Sequence, residues 1–185
     1  MKYKLNKYKK DIYSQCGEDG ITLEIFKRLK VEKGWFVDVG AWDGRYLSNT
    51  CVFADKEWYG IEIECDKRKL RSLISNFMGN PRIHPVLYKV KQDNLDDVLK
   101  LYDVPYDFDL LNIDIDCYDY FVWKNLKHYY PKIVIIETNG KPGDVISIDH
   151  GASAEAMIKL GKEKGYKPIA HVGNLIFARE DIWTS

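Results

Sequence analysis

Apolar runs recur along this chain, and most of them end in an acid or an amide. Residues 35–39 (Trp-Phe-Val-Asp-Val) are nearly continuous in apolar character, which predicts a strand buried on both faces. The segments 58–64, 83–87, 108–116 and 132–140 read the same way. Helical spacing lies between them. A helix over 18–30 has Ile21, Ile25, Phe26 and Leu29 on one face, and a short helix follows over 48–54. A helix starting at Asp66 sets Leu70, Leu73, Ile74 and Phe77 against a basic face of Lys67, Arg68, Lys69 and Arg71. Further helices are expected over 95–99, 118–130 and 151–164, the last stopped by Gly165. Segments 166–171 and 175–179 flank Val172-Gly173-Asn174 and predict a closing antiparallel hairpin. Pro85 places the 83–87 strand at a sheet edge. Strands alternating with helices predict an α/β three-layer sandwich on a mostly parallel sheet, with the strands' carboxyl ends along one edge.

The polar punctuation then becomes informative. After Asp38 the first strand breaks into Gly40-Ala41-Trp42-Asp43-Gly44, where the glycines allow a sharp turn and a close approach of backbone to ligand. Ser48-Asn49-Thr50 follows and could cap the next helix. Glu64 ends the second strand about 20 residues on, the distance at which an acid accepts from ribose hydroxyls; Glu62 is the second candidate. Asp114 and Asp116 end the fourth strand and share a face if the chain is extended there. Acids in that position are costly unless paired or functional. Glu137 and Asn139 end the fifth strand. Carboxylates gathered beside a glycine turn suit a cationic sulfonium cofactor with an unmodified ribose, S-adenosylmethionine, and would repel a bare triphosphate. No G-x-x-x-x-G-K-[ST] loop is present, which excludes a P-loop phosphotransferase, and Gly40 with Gly44 does not make the G-x-G-x-x-G of a nicotinamide site.

Composition narrows the class. The chain has 185 residues, 45% hydrophobic and 30% charged, enough for one full core. Its 28 basic residues equal its 28 acidic ones, so a nucleic-acid partner is not expected. The Lys/Tyr-rich start, through Tyr13, is read as a solvated leader packing its tyrosines on the fold. No apolar run is long enough to span a membrane. Cys16, Cys51, Cys65 and Cys117 form no C-x-x-C pair and are read as free thiols in a reducing, cytoplasmic setting. His84 is read as structural. The segment Ser14-Gln15-Cys16-Gly17-Glu18-Asp19-Gly20 is either a helix cap or a flap whose polar groups reach the cofactor or acceptor.

Val37-Asp38-Val39-Gly40-Ala41-Trp42-Asp43-Gly44 resembles the first cofactor motif of class I S-adenosylmethionine-dependent methyltransferases. Taken with Ser14-Gln15-x-Gly17-Glu18-Asp19-Gly20, Ser48-Asn49-Thr50, Leu111-x-Ile113-Asp114-Ile115-Asp116-x-x-Asp119-Tyr120, Ile136-Glu137-x-Asn139 and Gly151-Ala152-Ser153, it resembles the FkbM-like methyltransferase family across nearly the whole chain. That resemblance implies one Rossmann-like domain over 1–185, with 1–30 as arm and first helix and 31–185 as core. It implies a seven-stranded sheet with an antiparallel last strand, and O-methylation of a small-molecule or glycan acceptor, often a sugar hydroxyl. It sets cofactor contacts on Asp38, Gly40, Ala41 and Asp43, with the ribose acid on Glu64; Ser48 and Asn49 are added from the turn. The chain departs from the family at Cys117-Tyr118, where a glycine is expected, and in a short 141–150 loop.

For the chemistry, Asp114 or Asp116 is the expected base, with His150 as a third candidate. Alternatively Asp114, Glu137 and Asn139 hold a divalent metal, Mg2+ or Mn2+. A metal-dependent glycosyltransferase using Asp114-x-Asp116, and a non-catalytic cofactor-binding module, are the competing readings.

Overall fold

The computed structural model describes residues 3–139 and 141–183; Lys2 of the basic leader and Gly140, the expected end of the fifth strand, lie outside them. A 3-10 helix (Lys4–Tyr8) leads into α1 (Glu18–Leu29), β1 (Trp35–Val39), α2 (Cys51–Ala54), β2 (Tyr59–Glu64), α3 (Lys67–Asn76) and β3 (Ile83–Leu87). Then come α4 (Leu95–Leu101), β4 (Leu110–Ile113), α5 (Asp119–Asn125), β5 (Ile133–Ile136), a short ribbon of β6 (Ile146–Ser147) and β7 (Gly151–Ala152), α6 (Ala154–Glu163), β8 (Tyr166–His171) and β9 (Leu175–Arg179). Seven strands form one sheet in the order β3-β2-β1-β4-β5-β9-β8. The first five are parallel, and β9, last in the chain, runs antiparallel between β5 and β8. Pro85 sits on the edge strand β3, as a residue without an N–H donor must.

Both faces of the sheet are covered, which is why its strands are apolar almost throughout. On one face Val37, Val39, Ile61, Leu111 and Val134 pack with α4, α5 and α6. On the other, Phe36, Leu110, Ile133 and Ile176 pack with α1, α2 and α3. The β8 edge is covered by the leader. The Asn6 side-chain amide donates to the His171 carbonyl (2.7 Å) and its oxygen accepts from the His171 N–H (3.1 Å). One asparagine thus does the work of a strand residue and blunts an open edge. Leu5 is buried and Tyr8 packs on the core, in keeping with a leader laid on the fold.

Several elements are shorter than their sequence patterns. β4 ends at Ile113, and beyond it Asp116 (φ 55°) and Cys117 (φ 65°) turn left-handed. Asp114 and Asp116 therefore do not share the face of one extended strand. The position where a glycine was expected, Cys117, does adopt the conformation that favours glycine. α5 stops at Asn125 rather than Tyr130, since the N–H groups of Lys127 and His128 are taken by the Asp96 carboxylate (3.0 Å each). α2 starts at Cys51, with Ser48 accepting from the Cys51 N–H (3.0 Å) ahead of it. α6 starts at Ala154, capped by Ser153, and Gly151 and Ala152 belong to the ribbon.

Candidate active site

The sheet order reverses between β1 and β4, and in an open parallel sheet the crevice at such a reversal is the ordinary place for a ligand. A polar cluster fills it here. Asp38 on β1 and Asn112 on β4 are register partners. The Asn112 amide donates to Asp38 Oδ1 (2.8 Å), Thr50 Oγ1 donates to Asp38 Oδ2 (2.7 Å), and the Asn49 amide donates to Asn112 Oδ1 (3.0 Å). All four residues are buried. Burial pushes the Asp38 carboxyl up to about 6, against the pull of the Thr50 and Asn112 bonds. The network clamps the Ser48-Asn49-Thr50 turn onto the first strand.

Gly40 follows at φ 95°, and a Cβ there would collide with the Asp114 carbonyl. At Gly44 (φ 74°) a Cβ would run into Phe77 and Leu73. These glycines are demanded by the close approach of β4 and α3, not by a ligand alone. Glu64 is buried. Its Oε2 accepts from the Trp42 N–H (3.0 Å) and its Oε1 from the Asp66 N–H (2.7 Å), so the acid ending β2 pins the glycine loop.

A cleft of about 370 Å³ opens above these groups. Asp38, Gly40, Ala41, Ser48, Asn49, Glu64, Asp114, Asp116 and Glu137 all line it. Nine of the residues singled out from sequence therefore meet, although they come from five separate stretches of chain. A second cavity shares Gly40, Glu64, Cys65, Ile115 and Asp116 with the first and adds the apolar side chains of Val39, Ile63 and Val90. Asp114 and Glu137 line the cleft together, and Asp119 meets Glu137 in an adjoining pocket. Desolvation first, then Asp114, Asp119 and Asp116, push the Glu137 carboxyl up to about 7. Burial and the same neighbours bring Asp119 to about 7, although the Ile115 N–H donates to it at 3.0 Å. Asp114 is raised by desolvation, then by Asp116 and Glu18.

Three candidates stand elsewhere. Asp43 spends its Oδ1 on the N–H groups of Arg45 (2.9 Å) and Tyr46 (2.7 Å), shaping the loop from outside the cleft. The Asn139 amide donates to the Gly151 carbonyl and its oxygen accepts from the Lys141 N–H (3.0 Å each), leaving it braced to the ribbon. His150 is exposed in a neighbouring pocket with Glu137, Asp119 and Asp149, not in the main cleft. Among the described residues no group of three His, Cys, Asp or Glu side chains is placed to hold a metal ion.

The segment around residues 14–20 is both cap and wall. Asp19 Oδ2 accepts from the N–H groups of Ile12, Tyr13 and Ser14 (2.9, 2.6 and 2.7 Å), while Gln15, Cys16 and Glu18 line the cleft. Glu18 accepts from the N–H groups of Cys16 (3.0 Å) and Asn174 (3.1 Å), tying this wall to the β8–β9 turn. Sequence reasoning passed over Asn112, although a lone amide in an apolar strand two residues before Asp114 was a usable signal. Asn174 and Lys69 carried no such mark.

No protein-family model matches the chain, and no curated protein matches it. Solved structures do. The fibrillarin pre-rRNA processing protein of Methanococcus jannaschii is 18% identical over 80% of this chain and 67% of its own, with a TM-score of 0.55. The Aeropyrum pernix fibrillarin solved with S-adenosyl-L-methionine is 12% identical over 78% and 65%, with a TM-score of 0.54. A SAM-dependent methyltransferase from Aquifex aeolicus is 12% identical over 84% and 85%, at 0.50. At such identities the likeness is one of architecture: the chain has the Rossmann-like fold of class I S-adenosylmethionine-dependent methyltransferases, with its seven-stranded sheet and antiparallel last strand.

Proposed function

We propose that the protein is an S-adenosylmethionine-dependent O-methyltransferase acting in the cytoplasm on a sugar hydroxyl of a glycan or glycoconjugate. The observation that carries the methyltransferase part is the meeting of Glu64, the Gly40 turn and the acids that follow β4 and β5 around one cleft at the sheet's reversal. The FkbM-like order of motifs supports the sugar acceptor.

The donor set fits the cofactor. Glu64 offers carboxylate lone pairs to ribose hydroxyls, and the cavity lined by Val39, Ile63, Val90 and Ile115 has the apolar walls a nucleobase needs. Asn49 and Ser48 offer polar groups to the amino-acid end, and the surrounding carboxylates favour a cationic sulfur. When bound, S-adenosylmethionine supplies an electrophilic methyl group. The chain's own work is alignment of an acceptor hydroxyl and removal of its proton by the Asp114/Glu137 pair. A divalent metal is not part of the proposal, because Asn139 is bound to the ribbon. The competing glycosyltransferase reading would use Asp114 and Asp116, which share the cleft but not one extended strand.

Calorimetry with S-adenosylhomocysteine should show one site. Incubation with the labelled donor and a panel of hydroxylated sugars should give a mass gain of one methyl group on a hydroxyl. Binding of a UDP-sugar with manganese in place of S-adenosylhomocysteine would overturn the proposal, and donor binding without transfer to any acceptor would favour a binding module.

A further inference from the structure

The cleft is acidic with one exception. Glu18, Asp38, Glu64, Asp114, Asp116 and Glu137 line it, and Lys69 is the one lysine or arginine among the described lining residues. Lys69 ignores these acids. Its ammonium lies 3.7 Å from the centre of the Trp42 ring, and among the described residues no carboxylate is within ion-pair reach of it. Asp66, the nearest acid on its own helix, accepts from the N–H groups of Arg68 (2.6 Å) and Lys69 (3.3 Å) and faces the Arg68 guanidinium. The lysine is thus held by a ring, and its positive charge remains uncompensated.

Trp42 is itself held in an uncommon state. Its φ is 52° and its side chain is 48% exposed, at the mouth of the cleft. A bulky residue in the left-handed region is disfavoured and persists only where its surroundings impose it. Here the Trp42 N–H is bonded to Glu64, and Tyr46 flanks the ring at 6.1 Å. Glu64 and Lys69 are therefore positioned through one residue, the acid by its backbone and the cation by its ring. A cation–π seat orients an ammonium without neutralising it.

We infer that Lys69, seated on Trp42, is the anion-binding residue of this cleft and takes the carboxylate or phosphate of a bound molecule. This rests on the proposed cofactor reading for its location. The anion has two sources, the α-carboxylate of the methyl donor or an acidic group on the acceptor. Either finds in Lys69 the one lysine or arginine among the described residues lining the cleft, beside carboxylates that repel it.

The test compares the unaltered protein with K69M, K69R and W42A by calorimetry. The probes are S-adenosylhomocysteine, 5′-methylthioadenosine, which lacks the amino-acid end, and inorganic phosphate added to the S-adenosylhomocysteine complex. If the donor carboxylate is the ligand, K69M weakens S-adenosylhomocysteine about tenfold and leaves 5′-methylthioadenosine alone, the scale of one charge-assisted bond at a partly exposed site. K69R restores most of that loss, and W42A reproduces part of it. If the acceptor supplies the anion, K69M changes neither nucleoside but abolishes phosphate binding to the complex. An unchanged K69M with all three probes overturns the inference. If the unaltered protein binds no S-adenosylhomocysteine, the cofactor reading fails, and phosphate binding to the free protein then decides the role of Lys69 alone.

Discussion

Glu62 on β2 and Asp38 on β1 are register partners, and both carboxyls are buried, at 0% and 2% exposure. Asp38 has a donor on each oxygen, whereas among the described residues neither oxygen of Glu62 has a partner. Burial first, then Asp38 and Asp43, hold the Glu62 carboxyl well above the usual carboxylate range.

The contribution of that pair to the pH dependence of stability has a definite sign. The folded state keeps protons that the unfolded chain gives up above about pH 4 to 4.5. The stability these two groups contribute is therefore lost as the pH rises from there, through about 6 for Asp38 and beyond it for Glu62. E62Q cannot ionise. It should match the unaltered protein near pH 4 and melt higher at pH 8, by roughly 2–4 °C per kcal/mol in a domain of this size. Thermal melts at both pH values check this. Parallel profiles for the two proteins would mean that Glu62 is charged in the native state.

Thr50→Val removes the hydroxyl that donates to Asp38 and keeps the volume. It should cost about 1–3 kcal/mol, read from urea unfolding, because a buried carboxyl loses a donor. Asn49 sits next to it, so S-adenosylhomocysteine affinity should fall as well. Thr50→Ser should recover most of both. A variant as stable as the parent would show the network to be slack.

Glu64→Gln keeps one acceptor oxygen and points an NH2 at either the Trp42 or the Asp66 N–H. The glycine loop loses one anchor, and in the proposed complex the ribose would lose a charged acceptor. Affinity for S-adenosylhomocysteine should drop on the order of tenfold to a hundredfold, the scale of losing a hydrogen bond to a charged group. Unchanged calorimetric affinity would remove Glu64 from the cofactor site.

A base works only when deprotonated. With Glu137 at about 7, turnover should climb with pH through about 7 and then level. E137Q should remove that limb and lower the rate by roughly 10²- to 10⁴-fold. D114N should slow transfer too, but it should move any remaining limb to lower pH, since Asp114 is the first charge holding Glu137 up. Both variants should still bind S-adenosylhomocysteine. His150→Ala, outside the cleft, should leave the profile in place. A rate independent of pH between 6 and 8 in the unaltered protein would exclude this pair as the base.

How far the chain could be read before its structure was known follows from the range of the forces involved. Apolar runs buried on both faces, Pro85 at an edge and Gly165 after a helix are local facts, and each appears in the fold where its pattern put it. The strand ends were also local, so Asp38, Glu64, Asp114 and Glu137 could be assigned to one edge from element order alone. The backbone conformation of single residues was not local in this sense. Asp116 and Cys117 turn left-handed without a glycine, so Asp114 and Asp116 still line one cleft but not as alternate residues of one extended strand.

The sequence by itself determined the layering and the edge on which the acids gather, because burial period and strand–helix alternation are written residue by residue. Only the tertiary structure decided what each polar group is spent on. It turned Asp43 and Asn139 to their own loops, set His150 outside the cleft, brought Asn112 to Asp38 across 74 positions, and seated Lys69 on Trp42. A hydrogen bond or a cation–π contact acts over a few ångströms of space, and no spacing along the chain encodes which distant residue will supply the other half.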